Sequence, residues 1–300
     1  MTAKPPASPD AASLGEHLRN LPQYLLPQGA VTAWVHRLTR IRAPWFKDRL
    51  IRWFIGRYGV DMSEAANADP GSYADFNAFF TRALRDGVRP LAAEPATLVC
   101  PVDGAVSQAG AIAGDTVFQA KGHGYSLTAL LGGAAVDAAP WQDGAYATLY
   151  LSPRDYHRIH MPVDGTLRAM LHVPGRLFSV SRLTTRCVPG LFARNERVVT
   201  LWDTAVGPMA LVLVGAINVA SMQTVWAGTI TPPRGGRVRR WDYPASGEAR
   251  VHLARGEELG RFNMGSTVIL AFGPGAIAWD AGIHADAPVR MGQPLARPPG

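Results

Sequence analysis

The sequence is poor in cysteine, in charge and in long apolar runs, and each shortage excludes a class of protein. Cys100 and Cys187 are its two cysteines, too few for a disulfide framework. Its most apolar stretch, MALVLVGAI at 209–217, has about half the length of a membrane-spanning helix. The first twenty residues lack the apolar core of a secretory signal. We therefore expect a globular protein in a reducing compartment.

Familiar catalytic and metal-binding motifs are missing as well. The chain has no CxxC or HExxH pattern, and most of its histidines are scattered. We therefore expect no metal site. GxSxG, the nucleophile elbow of one large class of hydrolases, is also absent, which weakens the case for that class.

Glycine and proline are abundant and divide the chain into two parts. From about Leu91, short apolar runs such as ATLYLSP and STVILAF alternate with Gly, Pro and Asp-Gly turns, a pattern typical of strands. Before Leu91 the apolar spacing is helical. The sequence predicts an α+β fold, with a loose leader at 1–25, a helical region at 26–90 and a β-rich domain at 91–300.

The helical region carries most of the net charge of +7. Between Val31 and Val60, seven basic residues face one acid and alternate with aromatic side chains. The apolar spacing predicts two short amphipathic helices separated at Pro44, and a third helix over 72–90.

A basic, aromatic surface of this kind suits an anionic membrane. The expected membrane-docking residues are Trp34, Arg49, Arg52, Trp53 and Phe54. A nucleic acid is the rival partner, because a basic helix can also follow phosphates. A helical hairpin packed on the body with solvated arginines is the third possibility.

Three short segments carry candidate chemistry. SPRDYHRIHMP, at 152–162, holds His157 and His160 beside a predicted strand, where imidazoles could act as general acids and bases or could be ordinary surface histidines. PVDGAV contains Asp103, either a carboxylate that orients a histidine or a plain turn residue. Gly265 and Ser266 precede a strongly apolar strand, although Gly-Ser-Thr is also a common loop sequence.

Six blocks, taken together, resemble the phosphatidylserine decarboxylase proenzymes of bacterial type. They are YLSPRDYHRIHMPVDG, PVDGAVSQ, VPGRLFSV, LFARNERV, VWAGTITPPR and GRFNMGSTVI, in the order and rough spacing of that family. The resemblance extends from about Leu21 to about Ala296. It departs from the family pattern at Met264, where leucine is common.

The resemblance implies an enzyme that cuts its own chain between Gly265 and Ser266. Ser266 would attack the carbonyl of Gly265 and end as a pyruvoyl group, the covalent cofactor, with neither metal nor PLP. Asp103, His160 and Ser266 would form the triad for this cleavage, and His157 would serve decarboxylation. Ser179 would lie near the pyruvoyl group and bind substrate, unless its hydroxyl merely caps backbone.

The implied reaction converts phosphatidylserine to phosphatidylethanolamine and CO2 through a Schiff base. The family also implies a homodimer, two cleavage fragments that stay associated, and peripheral binding to the cytoplasmic face of the cell membrane, without nucleic acid. Two alternatives remain open at this point. One is a membrane-associated serine hydrolase or acyltransferase, whose chain would stay intact. The other is a lipid-binding or carrier module, which would not need Ser266.

Overall fold

The computed structural model describes residues 13–120, 123–217, 221–232, 235–264 and 267–299. Its helices are α1 (Leu14–Asn20), α2 (Pro22–Leu25), α3 (Gln28–Leu38), α4 (Pro44–Tyr58), α5 (Phe76–Phe80), α6 (Leu127–Leu130), α7 (Ala135–Ala138), α8 (Arg182–Cys187) and α9 (Leu191–Arg194). Single 3-10 turns occur at Met62–Glu64, Pro70–Ser72 and Ala139–Trp141.

The strands begin after the helical region, as the sequence predicts. They are β1 (Leu98–Val99), β2 (Gly104–Ala111), β3 (Thr116–Ala120), β4 (His123–Ser126), β5 (Ala145–Tyr150), β6 (Arg158–His160), β7 (Gly165–Val173), β8 (Arg197–Thr204), β9 (Gly207–Val214), β10 (Ser221–Thr224), β11 (Gly228–Thr231), β12 (Arg239–Asp242), β13 (His252–Leu253), β14 (Glu258–Asn263), β15 (Thr267–Phe272), β16 (Ala278–Trp279), β17 (Pro288–Val289) and β18 (Pro294–Arg297). The predicted α+β class is confirmed.

The main sheet has the strand order β12-β7-β8-β9-β15-β5-β2-β17, and β13 also pairs with β7. Its pairs are antiparallel. A second sheet has the order β11-β10-β14-β6. β15 lies between β9 and β5, and all six of its residues are buried. A strand inside a sheet and covered on both faces reads as a continuous apolar run, which explains TVILAF.

The part of the leader that the structure describes is helical, so the expectation of a loose leader is wrong for residues 14–25. Ser13 and Glu16 form a capping box that starts α1, and Pro22 opens α2. Glu16 also pairs with Arg186, and the Gln23 side chain accepts a hydrogen bond from the Ser179 backbone at 2.8 Å. Local caps and these contacts hold both helices on the body.

Helices α3 and α4 are the two amphipathic helices that the sequence predicts. Pro44 occupies the first turn of α4, where its missing N–H is not needed, and Gly59 ends the helix with a φ of 66°. Among the described residues, no helix is both long and apolar enough to cross a bilayer.

The third predicted helix, over 72–90, is much shorter in the structure. α5 begins at Phe76, after the Asp75 side chain has accepted a hydrogen bond from the Ala78 backbone as the N-cap, and it ends at Phe80. Beyond it Leu84 pairs with Ala65 in an isolated bridge, and Ala66 donates a hydrogen bond to the carbonyl of Ala83. The backbone of this segment bonds across to residues 64–66, which prevents the helix from continuing.

Candidate active site

His157 lies in the loop that connects β5 to β6 and is completely buried. Its Nδ1 is 2.8 Å from the carbonyl oxygen of Asp155, so Nδ1 carries the proton and donates. Nε2 is buried and has no hydrogen-bond partner among the described residues. Burial lowers the pKa of His157 to about 3. The site therefore holds a neutral imidazole with an unused lone pair.

Two elements fix the position of His157. The ring of Phe80, at the end of α5, lies 4.1 Å from the imidazole, measured between centroids. The backbone N–H of Phe262, in β14, donates to the His157 carbonyl at 3.1 Å. The helical region and the strand that leads to Gly265 thus both contact this residue.

His160 is the last residue of β6 and is also buried. Its Nδ1 donates to the Gly256 carbonyl at 2.8 Å, and its Nε2 accepts from the Tyr156 hydroxyl at 3.0 Å. Burial lowers the pKa of this imidazole as well. His160 is therefore neutral near pH 7, and both of its nitrogens have partners.

Asp103 makes its closest contacts to residues other than His160. Its carboxylate accepts from the Arg89 guanidinium, with Nη2 to Oδ2 at 2.6 Å, and from the Met291 backbone at 2.8 Å. Arg89 also binds Glu64. The described structure has no hydrogen bond between Asp103 and His160. The two segments nevertheless adjoin, because His160 N donates to the carbonyl of Pro101 at 2.9 Å.

Gly265 and Ser266 lie outside the described residues, but the chain on either side is described. Asn263 closes β14, and its side chain accepts a hydrogen bond from Asn77 at 3.0 Å. Met264 follows with a φ of 93°, a strained value for a residue with a side chain. Thr267 starts β15 directly opposite Tyr150 of β5. In the sequence, the Gly265–Ser266 link therefore connects β14 to β15. Each of these strands is paired in register within its own sheet.

A cavity of about 210 Å³ lies against Met264. Ser179 lines it, together with Phe80 and with Phe54 and Tyr58 of α4. The Ser179 hydroxyl also accepts from the backbone of Ser181 at 3.2 Å. Ser179 therefore lines the same cavity as Met264 and also makes the backbone contact of its alternative role. Its part in substrate binding stays a prediction.

Four of the five expected docking residues are exposed. Trp34 and Trp53 are 62% and 57% exposed, and Arg49 and Arg52 are exposed on the same helical region. Phe54 differs, because it is only 6% exposed and packs among Phe76, Phe79 and Phe80. The expectation that Phe54 contacts a membrane is corrected, since in α4 it lies on the face opposite the exposed arginines.

Sequence reasoning missed Arg89 and Tyr156, the partners of Asp103 and His160. Tyr156 stands inside the quoted histidine segment, and its spacing of four from His160 was an available signal. Arg89 lies 14 residues from Asp103 with no motif around it, and no sequence pattern pointed to it. Within the described ranges, no three His, Cys, Asp or Glu side chains come together as a metal site requires.

Two buried, neutral imidazoles lie three residues apart, and one of them, His157, contacts Phe80 of the cavity wall. This arrangement suits proton transfer, the chemistry of an acid–base enzyme. A family model described as phosphatidylserine decarboxylase matches residues 76–297, and one described as PSD matches residues 18–59. The chain belongs to the phosphatidylserine decarboxylase family. The predictions of the family and of a decarboxylase are confirmed.

Individual relatives are similar over nearly their whole length. The phosphatidylserine decarboxylase proenzyme of Acidovorax ebreus is 60% identical over 283 residues, which are 94% of this chain and 98% of the relative. That of Pseudomonas paraeruginosa is 58% identical over 276 residues, 92% of this chain and 95% of the relative. That of Bordetella pertussis is 57% identical over 276 residues, with 92% and 93% covered.

Proposed function

We propose that this chain decarboxylates phosphatidylserine to phosphatidylethanolamine through a pyruvoyl group that it makes from its own Ser266. One observation carries the proposal. A neutral His157, whose Nε2 has no hydrogen-bond partner among the described residues, contacts Phe80, which lines the cavity against Met264, two residues before Ser266. The related proteins are named proenzymes, which agrees with a chain that must be processed.

The residues around this cavity fit a pyruvoyl group. Ser179, Met264 and Tyr150 line a space that no side chain of the described residues fills. Among the described residues, the buried Nε2 lone pair of His157 has no hydrogen-bond partner. A buried polar atom left without a partner costs free energy, so a bound group that supplies one fits this position. A pyruvoyl carbonyl supplies the electron sink that decarboxylation of an amino acid requires.

Self-cleavage uses residues of the chain alone. Ser266 Oγ adds to the carbonyl carbon of Gly265, and the peptide nitrogen leaves, so that an ester replaces the amide. A base then removes the α-proton of residue 266, the bond between Oγ and Cβ breaks, and residues 1–265 are released with a terminal carboxylate. The dehydroalanine left at the new N-terminus tautomerises to an imine, and water hydrolyses the imine to the ketone of the pyruvoyl group and ammonia.

His160 is the proposed base for this cleavage, because serine is a weak nucleophile without one. Its neutral imidazole can accept the Ser266 proton at Nε2 once the Tyr156 hydroxyl gives up that atom. Asp103 would favour the resulting imidazolium through its negative charge, since the two residues share no hydrogen bond.

His157 is the proposed proton carrier of the decarboxylation. Its Nε2 is the open nitrogen through which a proton can reach the α-carbon after CO2 has left. The carbonyl of Asp155 holds Nδ1 and so keeps Nε2 as the reactive nitrogen.

Mass spectrometry under denaturing conditions tests the cleavage. Purified protein should show a small fragment, residues 266–300, with a blocked N-terminus. Ser266→Ala and His160→Ala should leave one intact, inactive chain, whereas His157→Ala should cleave and yet fail to decarboxylate. A single intact chain in an active preparation would reject the proposal, and blocked cleavage in His157→Ala would reject the division of roles.

The proposed location is the cytoplasmic face of the cell membrane, bound peripherally. A diacyl substrate stays in its bilayer, so the enzyme must come to the surface. The exposed tryptophans and arginines of α3 and α4 support this, because basic residues near an anionic surface contribute about 1 kcal/mol each. The family resemblance further implies a homodimer, which analytical ultracentrifugation of the processed protein would detect.

A further inference from the structure

The wall of the proposed reaction cavity contains the phenol of Tyr150. Tyr150, the last residue of β5, is only partly buried, and its hydroxyl makes no hydrogen bond to any described residue. Tyr150 stands opposite Thr267, one residue after Ser266. Burial raises the pKa of Tyr150, so the phenol stays protonated at neutral pH and can donate a hydrogen bond.

Tyr150 also lines a second, larger cavity of about 480 Å³. Tyr150 and Val180 belong to both cavity walls, so the two spaces adjoin at these residues. The second cavity adds two cations, Arg182 and Arg186 of α8. The proposed reaction cavity thus shares a wall with a second cavity that is lined by two arginines and one carboxylate, that of Asp286.

The two arginines differ in how firmly they are held. Arg186 pairs with Glu16 of α1. Arg182 contacts Asp286 at 2.8 Å, but the two side chains are 73% and 66% exposed. An ion pair this exposed contributes little free energy. An entering anion can therefore take Arg182 from Asp286 at small cost.

We propose that Tyr150 and Arg182 bind the phosphodiester of phosphatidylserine at the junction of the two cavities. This rests on the proposed function, because the phosphate of this substrate lies only a few bonds from the carbon that reacts. A guanidinium and a phenol are suitable donors for a phosphodiester anion, and a charge-assisted hydrogen bond to phosphate is among the stronger polar contacts.

The proposal also predicts that removing the charge of Asp286 strengthens phosphodiester binding, the opposite of the effect expected at Arg182. The Asp286 carboxylate competes with the phosphodiester for Arg182 and repels the same anion. Asp286 has a φ of 68°, a conformation that asparagine tolerates well. Asp286→Asn should therefore keep the loop intact and tighten binding by a few fold.

The experiment measures binding and not only turnover. Dibutyryl phosphatidylglycerol carries the phosphodiester but no amine, and it is soluble as a monomer. Its dissociation constant for the processed wild-type enzyme is measured by isothermal titration calorimetry. Tyr150→Phe and Arg182→Gln should each weaken binding, Arg182→Gln by about tenfold, as expected for the loss of one charge-assisted hydrogen bond.

Controls separate this site from others. Arg250→Gln and Arg85→Gln each remove an exposed arginine outside both cavities. Neither substitution should change the dissociation constant. All these variants should still self-cleave, and Arg182→Gln should raise KM for short-chain phosphatidylserine in neutral micelles while kcat stays within about twofold.

Several results would overturn the proposal. Unchanged binding in Arg182→Gln or in Tyr150→Phe would contradict it. So would weaker binding in Asp286→Asn, or a loss in Arg85→Gln equal to that in Arg182→Gln. Because phosphatidylglycerol binding requires no decarboxylation, failure of the pyruvoyl chemistry would appear separately, as intact chain in the mass spectrum. Arg182→Lys keeps the positive charge, so its dissociation constant should lie between those of the wild type and Arg182→Gln. That result would show that the loss in Arg182→Gln does not come from misfolding.

Discussion

The imidazole of His157 is completely buried and makes one hydrogen bond to the described residues, and this has a consequence for stability at low pH. Its pKa is about 3 in the fold against an ordinary value of 6.5. Between these values the unfolded chain binds a proton that the folded chain excludes. The stability that a neutral His157 contributes is present above pH 6.5 and is lost as the pH falls toward 3.

The prediction is that His157→Gln makes the protein less sensitive to acid. Below pH 6.5 the wild-type free energy of unfolding should fall by an extra amount of about 1.4 kcal/mol per pH unit. Urea unfolding is measured in the Ser266→Ala background, where the chain stays in one piece. His284→Gln, at an exposed position, is the matched control. Parallel pH profiles for His157→Gln and its parent would contradict the prediction.

Gly104 follows Asp103 and allows β2 to approach β5 closely. A Cβ at this position would lie 2.2 Å from the Tyr150 carbonyl oxygen, a backbone atom that cannot move aside easily. We predict that Gly104→Ala lowers the melting temperature, at a cost of about 1–3 kcal/mol, and slows self-cleavage because Asp103 shifts. Gly110→Ala, in the same strand with its nearest neighbour at 3.9 Å, should do neither. Equal behaviour of the two variants would show that the close approach is unimportant.

At the scale of elements, local signals in the sequence predicted both ends of α4, whereas contacts between distant segments could not be predicted. Pro44 and Gly59 mark both ends of α4, because each residue has a specific backbone role there. The shortened α5 could not be predicted, since its end depends on a bridge between Ala65 and Leu84. The pairing of Asp103 with Arg89 likewise depends on the folded chain, and any nearby arginine would have suited it equally well.

Helix α4 has two faces with separate roles, and this predicts which substitutions affect which function. Arg49 and Arg52 are exposed, whereas Ile51 and Phe54 are buried against α5 and its surroundings. Arg49→Glu with Arg52→Glu should weaken binding to vesicles that contain phosphatidylserine by at least about tenfold at low salt. Self-cleavage should continue, because neither arginine contacts the site.

Flotation of the processed protein with vesicles measures this effect. The matched control is the charge reversal Arg85→Glu with Arg250→Glu, at two exposed positions outside α3 and α4. If the α4 variant still binds vesicles as the wild type does, α4 is only a structural helix of the body.

At the scale of the whole molecule, the proposed cut removes a covalent link but few contacts. The small fragment would keep β15 between β9 and β5, β17 on β2, and β18 on β1. We predict that both fragments elute together in native size-exclusion chromatography and separate only in denaturant. Release of the small fragment from active native enzyme would contradict this.

The position of β15 also implies that the chain must fold before the proposed cut is made. In an intact chain, β15 can enter the sheet while it is tethered to β14. A separate fragment would instead have to insert β15 between β9 and β5 of the other fragment. We expect the uncut Ser266→Ala chain to refold to its native state after the urea is diluted. The cleaved enzyme should aggregate after the same dilution from urea. Complete unfolding of the cleaved enzyme would therefore be irreversible.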